Sequence, residues 1–232
     1  MARLWGTPDS IVQYVVVMEA NLRQYIQSVA VAVSMLFLVS GAVLLGNSEA
    51  HSEILDTATA LEERSLGDPN APLTIYEYSS LGCPHCKAFH KNTLPMVMEE
   101  FIDTGKVRLV YRDYPLGNRA MAAAMIARCA PQERYFGMLE LFFQKQSDWS
   151  QSEDAIGALT AVAKFGGLSS DDVMACLQDQ DLLNGIRTRA EAGSDEFGIE
   201  ATPTFIIGDT GEKIEGAMGP DEFRKVLNDA LN

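Results

Sequence analysis

The chain has 232 residues, of which 47% are hydrophobic and 22% charged. These are the values of an ordinary globular protein, and they exclude wholesale disorder and collagen-like repetition. Lys and Arg number 18 against 32 Asp and Glu, for a net charge of −14; a field of that sign repels nucleic-acid phosphate and anionic lipid headgroups. Four cysteines are too few for a disulfide-framework mini-protein, and the chain is long enough to bury a core.

No charged residue lies between Arg23 and Glu49, and within that gap residues 29–46 (VAVAVSMLFLVSGAVLLG) are nearly all apolar. This length falls between the apolar stretch of a signal peptide, about 7–15 residues, and a membrane-spanning helix, about 20. Ser48-Glu49-Ala50 places small residues at the offsets used for cleavage after Ala50. No cysteine lies nearby, which argues against a lipoprotein anchor. Arg3 and Arg23 cancel Asp9 and Glu19, so a strongly basic leader is missing; a start at Met18 would leave a short leader carrying Arg23. A buried core helix is the remaining alternative, and the change to polar, linker-like sequence after it speaks against that. Residues 1–50 are expected to be a signal peptide or an N-terminal membrane anchor, which sends residues 51–232 across a membrane.

Residues 51–66 space Ile54, Leu55, Ala58 and Leu61 as a helix does, and form an N-terminal helix or linker ended by the turn-rich GDPNAP at 67–72. Residues 73–79 (LTIYEYS) read as a strand. Cys83-Pro84-His85-Cys86 then opens a helix over 87–104 that Pro95 should kink, and 106–114 (KVRLVYRDY) is a second strand. Strand, helix, strand begins a parallel α/β unit. From 118 to 197 the pattern turns helical, with helices predicted over 120–129, 133–146, 152–165, 169–177 and 181–197. Strands return at 204–207 and 213–215 around the hairpin signal GDTG, and 220–231 closes as an amphipathic helix with Phe223, Val226, Leu227 and Leu231 on one side.

Two cysteines three apart at a helix start face each other across one turn. Cys83 falls near the helix N-terminus, where unsatisfied N–H groups and the dipole stabilise a thiolate, while Cys86 lies deeper. The asymmetry makes Cys83 the attacked or attacking sulfur and Cys86 the resolving one. His85 adds positive charge or a hydrogen bond to the Cys83 thiolate. Stabilising that thiolate stabilises the dithiol form and makes the disulfide a stronger oxidant. Pro84 suits the first helical turn. The alternative is a zinc site or two inert thiols, but zinc needs four ligands and there is no second Cys-x-x-Cys. His90 reads as a solvated helix residue.

These features resemble the thioredoxin superfamily, and within it the DsbA-like thiol oxidases of the bacterial envelope. The resemblance covers about residues 66–232 and is carried by the strand at 73–79, the Cys83-Pro84-His85-Cys86 motif, the sequence Ala201-Thr202-Pro203-Thr204-Phe205 and the helical block between them. It implies an α/β, thioredoxin-like fold formed by 67–117 and 198–232 with an inserted helical domain at 118–197. It also implies an exposed nucleophilic Cys83, a buried Cys86, and a cis peptide bond from Thr202 to Pro203 beside the dithiol, with Thr202 presenting its backbone to a substrate strand. Glu77, six residues before Cys83, takes the place of a buried acid that relays the Cys86 proton; the alternative is an exposed strand charge. A threonine at 202 also occurs in isomerase relatives. Only about 17 residues precede Gly67 in the exported part, too few for a dimerisation domain, so a monomer is expected.

Cys129 and Cys176 each end a helical pattern. In an exported protein an even pair suggests a structural disulfide, as some DsbA-like relatives have in this region; two buried free thiols are the alternative. Met121 and Met125 read as core, Phe89 as core or groove, and the acid pairs Glu99-Glu100 and Asp171-Asp172 as solvated helix faces.

The expected function is thiol:disulfide oxidation of reduced or unfolded exported proteins, using no metal and no organic cofactor, with reoxidation by a DsbB-type, quinone-linked membrane partner. Exposed apolar surface near Pro203 should receive clients. An envelope isomerase or reductase is the rival within the enzyme class, and a periplasmic holdase with a vestigial dithiol the rival outside it.

Overall fold

The computed structural model describes residues 54–232; the predicted leader or anchor at 1–50 lies outside them. Among the described residues no helix is long and apolar enough to cross a membrane. Five strands form one mixed sheet: β1 (Arg64–Leu66), β2 (Leu73–Ser79), β3 (Val107–Asp113), β4 (Thr204–Ile207) and β5 (Glu212–Glu215), in the order β1-β3-β2-β4-β5. β2 and β3 run parallel, with Glu77 directly opposite Tyr111, and β4 lies antiparallel on the other side of β2. This is the thioredoxin-like arrangement with a helical region inserted between β3 and β4.

The helical spacing of 51–66 yields one turn, α1 (Thr57–Ala60), and the segment finishes as the edge strand β1 paired to β3. Arg64 explains the change. Its side chain is buried, its guanidinium donates to the Thr59 carbonyl (2.9 Å) and lies 5.5 Å above the Tyr135 ring, contacts that an extended backbone reaches and a continued helix would turn away from.

The helix after Cys83 breaks where Pro95 predicts. α2 (Pro84–Asn92) gives way to the short α3 (Leu94–Val97) and a π turn at Met98–Ile102, because Pro95 has no N–H to donate and its ring crowds the preceding turn. Phe89 of α2 packs against Phe205 of β4 (4.6 Å between ring centres) and Phe223 (5.2 Å) of the last helix, α10 (Pro220–Ala230), filling the core on one face of the sheet. Glu100 is not simply solvated: it accepts twice from Arg224 of α10, at 2.7 and 2.8 Å.

Between β3 and β4 run α4 (Asn118–Cys129), α5 (Tyr135–Gln144), α6 (Gln146–Ser150), α7 (Ala155–Phe165), α8 (Ser170–Gln178) and α9 (Gln180–Phe197). The predicted helix over 133–146 is two helices, α5 and α6, preceded by a 3-10 turn. At α8 the acid pair divides. Asp172 is buried, and its carboxylate accepts from the Ser169 N–H (2.8 Å) while Ser169 Oγ accepts from the Asp172 N–H (3.1 Å), a reciprocal cap that removes two unpaired donors from the helix start. α9 passes close to β2 at Gly193, where any Cβ would overlap the Tyr78 ring. Arg128 of α4 is buried, donates to Asp113 of β3 (2.6 Å) and to the Ala60 and Glu62 carbonyls (3.1 and 2.7 Å), and so ties the inserted helices to the sheet.

Candidate active site

Cys83 is the cap residue of α2 and Pro84 its first residue. The loop before it is held from several sides. The Cys83 N–H donates to the Ser80 carbonyl (3.0 Å). Gly82 lies so close to Ala120 of α4 that a Cβ there would stand 3.1 Å from the alanine methyl. Gln146 of α6, buried, donates from one nitrogen to the carbonyls of Leu81 (2.7 Å) and Cys83 (2.9 Å). Sequence reasoning missed Gln146, which carries no motif and lies 63 residues from Cys83.

Cys83 and Cys86 are free thiols, and both are buried: Cys86 completely, Cys83 with 6% of its surface accessible. The expected exposed nucleophile is therefore a recessed one, covered because the loop is pressed between the sheet and the inserted helices. A hydrogen bond from the Cys86 thiol lowers the Cys83 pKa most; the backbone N–H groups of Cys86 and His85 add to it against the cost of burial, and the Cys83 thiol is pushed down to about 5. Burial pushes the Cys86 thiol upward, and its bond to Cys83 pushes the same way. The His85 ring is exposed, and the backbone N–H of His85 is among the groups that lower the Cys83 pKa.

The Thr202–Pro203 peptide bond is cis. The Cys83 thiol donates to the Thr202 carbonyl at 3.2 Å, so this loop faces the dithiol. Pro203 is buried, and its carbonyl accepts from the Gly216 N–H (2.8 Å). Thr202 Oγ1 is also buried, without a hydrogen-bond partner among the described residues. An exposed large apolar side chain tied to the site is Leu116, 51% accessible, whose N–H donates to Ser80 Oγ (3.1 Å).

Glu77 is wholly buried, and its partner is His90: Oε1 and Nε2 are 2.9 Å apart. This overturns the reading of His90 as a solvated helix residue. Residues four apart share a helix face, so the spacing from buried Cys86 to His90 was the available signal. Phe143 of α5, 4.3 Å from the imidazole centre, supplies the cover that the sequence could not display. Cys129 at the end of α4 and Cys176 in α8 are joined in a disulfide with Cα atoms 6.2 Å apart.

A dithiol at a helix start facing a cis-proline loop marks the class of thioredoxin-fold dithiol proteins. The protein-family model described as Thioredoxin matches residues 59–229; the chain belongs to that family, on its DsbA-like branch. The crystal structure of Wolbachia pipientis alpha-DsbA1 superimposes with a TM-score of 0.68 at 30% identity, covering 73% of this chain and 91% of that one. Disulfide bond formation protein D of Bacillus subtilis is 26% identical over 174 residues, 72% of this chain and 76% of the relative. A Rickettsia bellii protein, provisionally named a protein-disulfide oxidoreductase, is 27% identical over 143 residues, 61% of this chain and 55% of its own. The chain spans about half the length of the curated rickettsial relatives it matches.

Proposed function

We propose that this protein is a thiol:disulfide oxidoreductase that donates a Cys83–Cys86 disulfide to reduced exported proteins. The observation that carries the reading is the inequality of the two sulfurs: Cys83 caps the start of α2 against the cis-proline loop, where its thiol is pushed down, while Cys86 is wholly buried and burial pushes its thiol up. A client thiolate attacks Cys83 of the oxidised form, the Cys83–Cys86 bond breaks, and Cys86 leaves with the electron pair and takes up a proton. A second client thiolate attacks the client sulfur of the mixed disulfide and expels Cys83 as a stabilised thiolate. The more stable that anion, the further the exchange runs toward client oxidation.

In this reading Thr202 and Pro203 border the place where the client strand lies, Glu77 handles the Cys86 proton, His85 contributes through its N–H, and the Cys129–Cys176 bond braces the inserted helices. Residues 67–117 and 198–232 form the thioredoxin-like part and 118–197 the insertion. The protein works as a monomer in the periplasm or cell envelope, delivered by a signal peptide or held by an uncleaved anchor in residues 1–50, and a DsbB-type membrane protein reoxidises it. The names of the DsbA and disulfide-bond-formation relatives support the disulfide-exchange reading.

Equilibration of the Cys83–Cys86 pair with glutathione, followed by alkylation and mass spectrometry, tests the reading. A potential well above that of thioredoxin, about −270 mV, is expected. A value near thioredoxin's would assign the protein to the reductases, and undiminished client folding by Cys83→Ser would make it a holdase.

A further inference from the structure

Beneath the dithiol, two ionisable side chains from adjoining elements are buried against each other. Glu77 of β2 and His90 of α2 meet at 2.9 Å with side-chain accessibilities of 0% and 4%. The second carboxylate oxygen, Oε2, is buried without a partner among the described residues. Glu77 and Ser79 share a face of β2, and Ser79 leads directly into Ser80, whose N–H donates to the Cys86 sulfur (3.4 Å). Tyr111, opposite Glu77 in the sheet, packs in the same buried cluster as Cys86 and sets its ring at 6.0 Å, edge-on, to His90. On its outer side His90 lines a cavity of about 190 Å³ between α2 and α5, together with Lys87, Lys91, Glu140, Phe143 and Gln144. Lys91, Glu140 and Gln144 are solvent-exposed.

We propose that His90 is the gate of a proton relay that connects Cys86, through Glu77, to solvent in this cavity. The proposal rests on the dithiol-exchange reading above. When a client thiolate attacks Cys83, the electron pair of the broken S–S bond leaves on Cys86. Water has no direct access to that sulfur, which is fully buried. Glu77 Oε2 delivers a proton to Cys86, His90 Nε2–H replenishes Oε1, and Nδ1 recovers a proton from the cavity. Reoxidation runs the same route outward and restores the ring's original tautomer. Over one turnover the client loses two electrons and two protons; the electrons rest on the two enzyme sulfurs, one proton on Cys86, the other in solvent.

The ionisable groups facing the pair are Lys87 and Lys91 from α2, Glu140 and Tyr135 from α5, and Tyr111 from β3. Burial raises both tyrosines, so they stay neutral throughout the working range. The two lysines and Glu140 stand at the cavity side, where they meet water.

The test is single-turnover oxidation of a reduced dithiol peptide from pH 5 to 8, with the Cys83 thiolate followed at 240 nm. His90→Gln is expected to slow exchange by about a hundredfold or more, the scale of a lost proton-transfer group, without moving the Cys83 midpoint; free imidazole should restore rate to His90→Ala. Gln144→Trp, which fills the cavity from an exposed position and leaves the pair intact, should slow exchange in the same pH range. Wild-type rates in either His90→Gln or Gln144→Trp at every pH, or a folded His90→Ala that imidazole does not rescue, overturn the relay. Failure of the wild-type protein to oxidise the peptide overturns the donor reading instead.

Discussion

The Cys83 sulfur and the Thr202 carbonyl, 119 residues apart, are in hydrogen-bond contact at 3.2 Å. The contact joins the first turn of α2 to the loop entering β4, and so closes the site across the whole inserted helical region. Antiparallel pairing of β2 with β4, Tyr78 opposite Thr204, sets its geometry: one strand leads out to Cys83 and the other comes in from Thr202.

The ionisation of Cys83 should be visible in stability as well as in absorbance. Its folded-state pKa, about 5 against an ordinary 9.0, is depressed. The stabilisation of the reduced fold is therefore complete above the unfolded thiol's value, partial at neutrality, and lost as pH falls through about 5. Urea melts of reduced wild type and Cys83→Ala should diverge by roughly 2–3 kcal/mol at pH 7 and converge at pH 4. A pH-independent difference would contradict the thiolate assignment.

Gln146→Leu removes the shared donor from two carbonyls, Leu81 and Cys83, in a site that water does not reach. A loss of about 1–3 kcal/mol is expected in chemical denaturation, because the orphaned acceptors keep their desolvation cost. Exchange with oxidised glutathione should slow in the same variant, since the loop that aims Cys83 loses its brace.

The pair Arg128–Asp113, at 2.6 Å with both side chains at or below 5% accessible, should respond asymmetrically. Arg128→Met or Asp113→Asn alone leaves a buried, unbalanced partner and is expected to cost about 3–5 kcal/mol. The double variant should lose less than the sum of the two, and a double-mutant cycle by thermal melting measures the difference.

Removing the Cys129–Cys176 bond by paired alanine substitution opens a loop of 47 residues and should cost ~4 kcal/mol by the chain-entropy relation. The 240 nm titration of Cys83 should stay where it is, because the bond joins α4 to α8 in a cluster separate from the one holding Cys83.

Much of the frame was legible in the residues. LTIYEYS and KVRLVYRDY alternate and branch like strands, and they are β2 and β3. Pro95 announced the break after α2, and the helix predicted over 169–177 is α8. These signals are local: dihedral preference, side-chain period and an unpaired N–H act within a few residues of where they are written. The run at 51–66 misled because a helical spacing of four apolar residues also fits a turn followed by a strand, and the deciding partner, Tyr135, is far along the chain.

The dithiol itself could be recognised from the bare order Cys-Pro-His-Cys at the mouth of a helix, with a Thr-Pro more than a hundred residues later. Its surroundings could not. Whether Cys83 is recessed, whether His90 is wet or sealed under Phe143, and which distant side chain holds the loop all depend on how the inserted helices lie against the sheet. Burial and partnership are properties of packed surfaces. A one-dimensional pattern specifies each surface, and it leaves open which other surface will cover it.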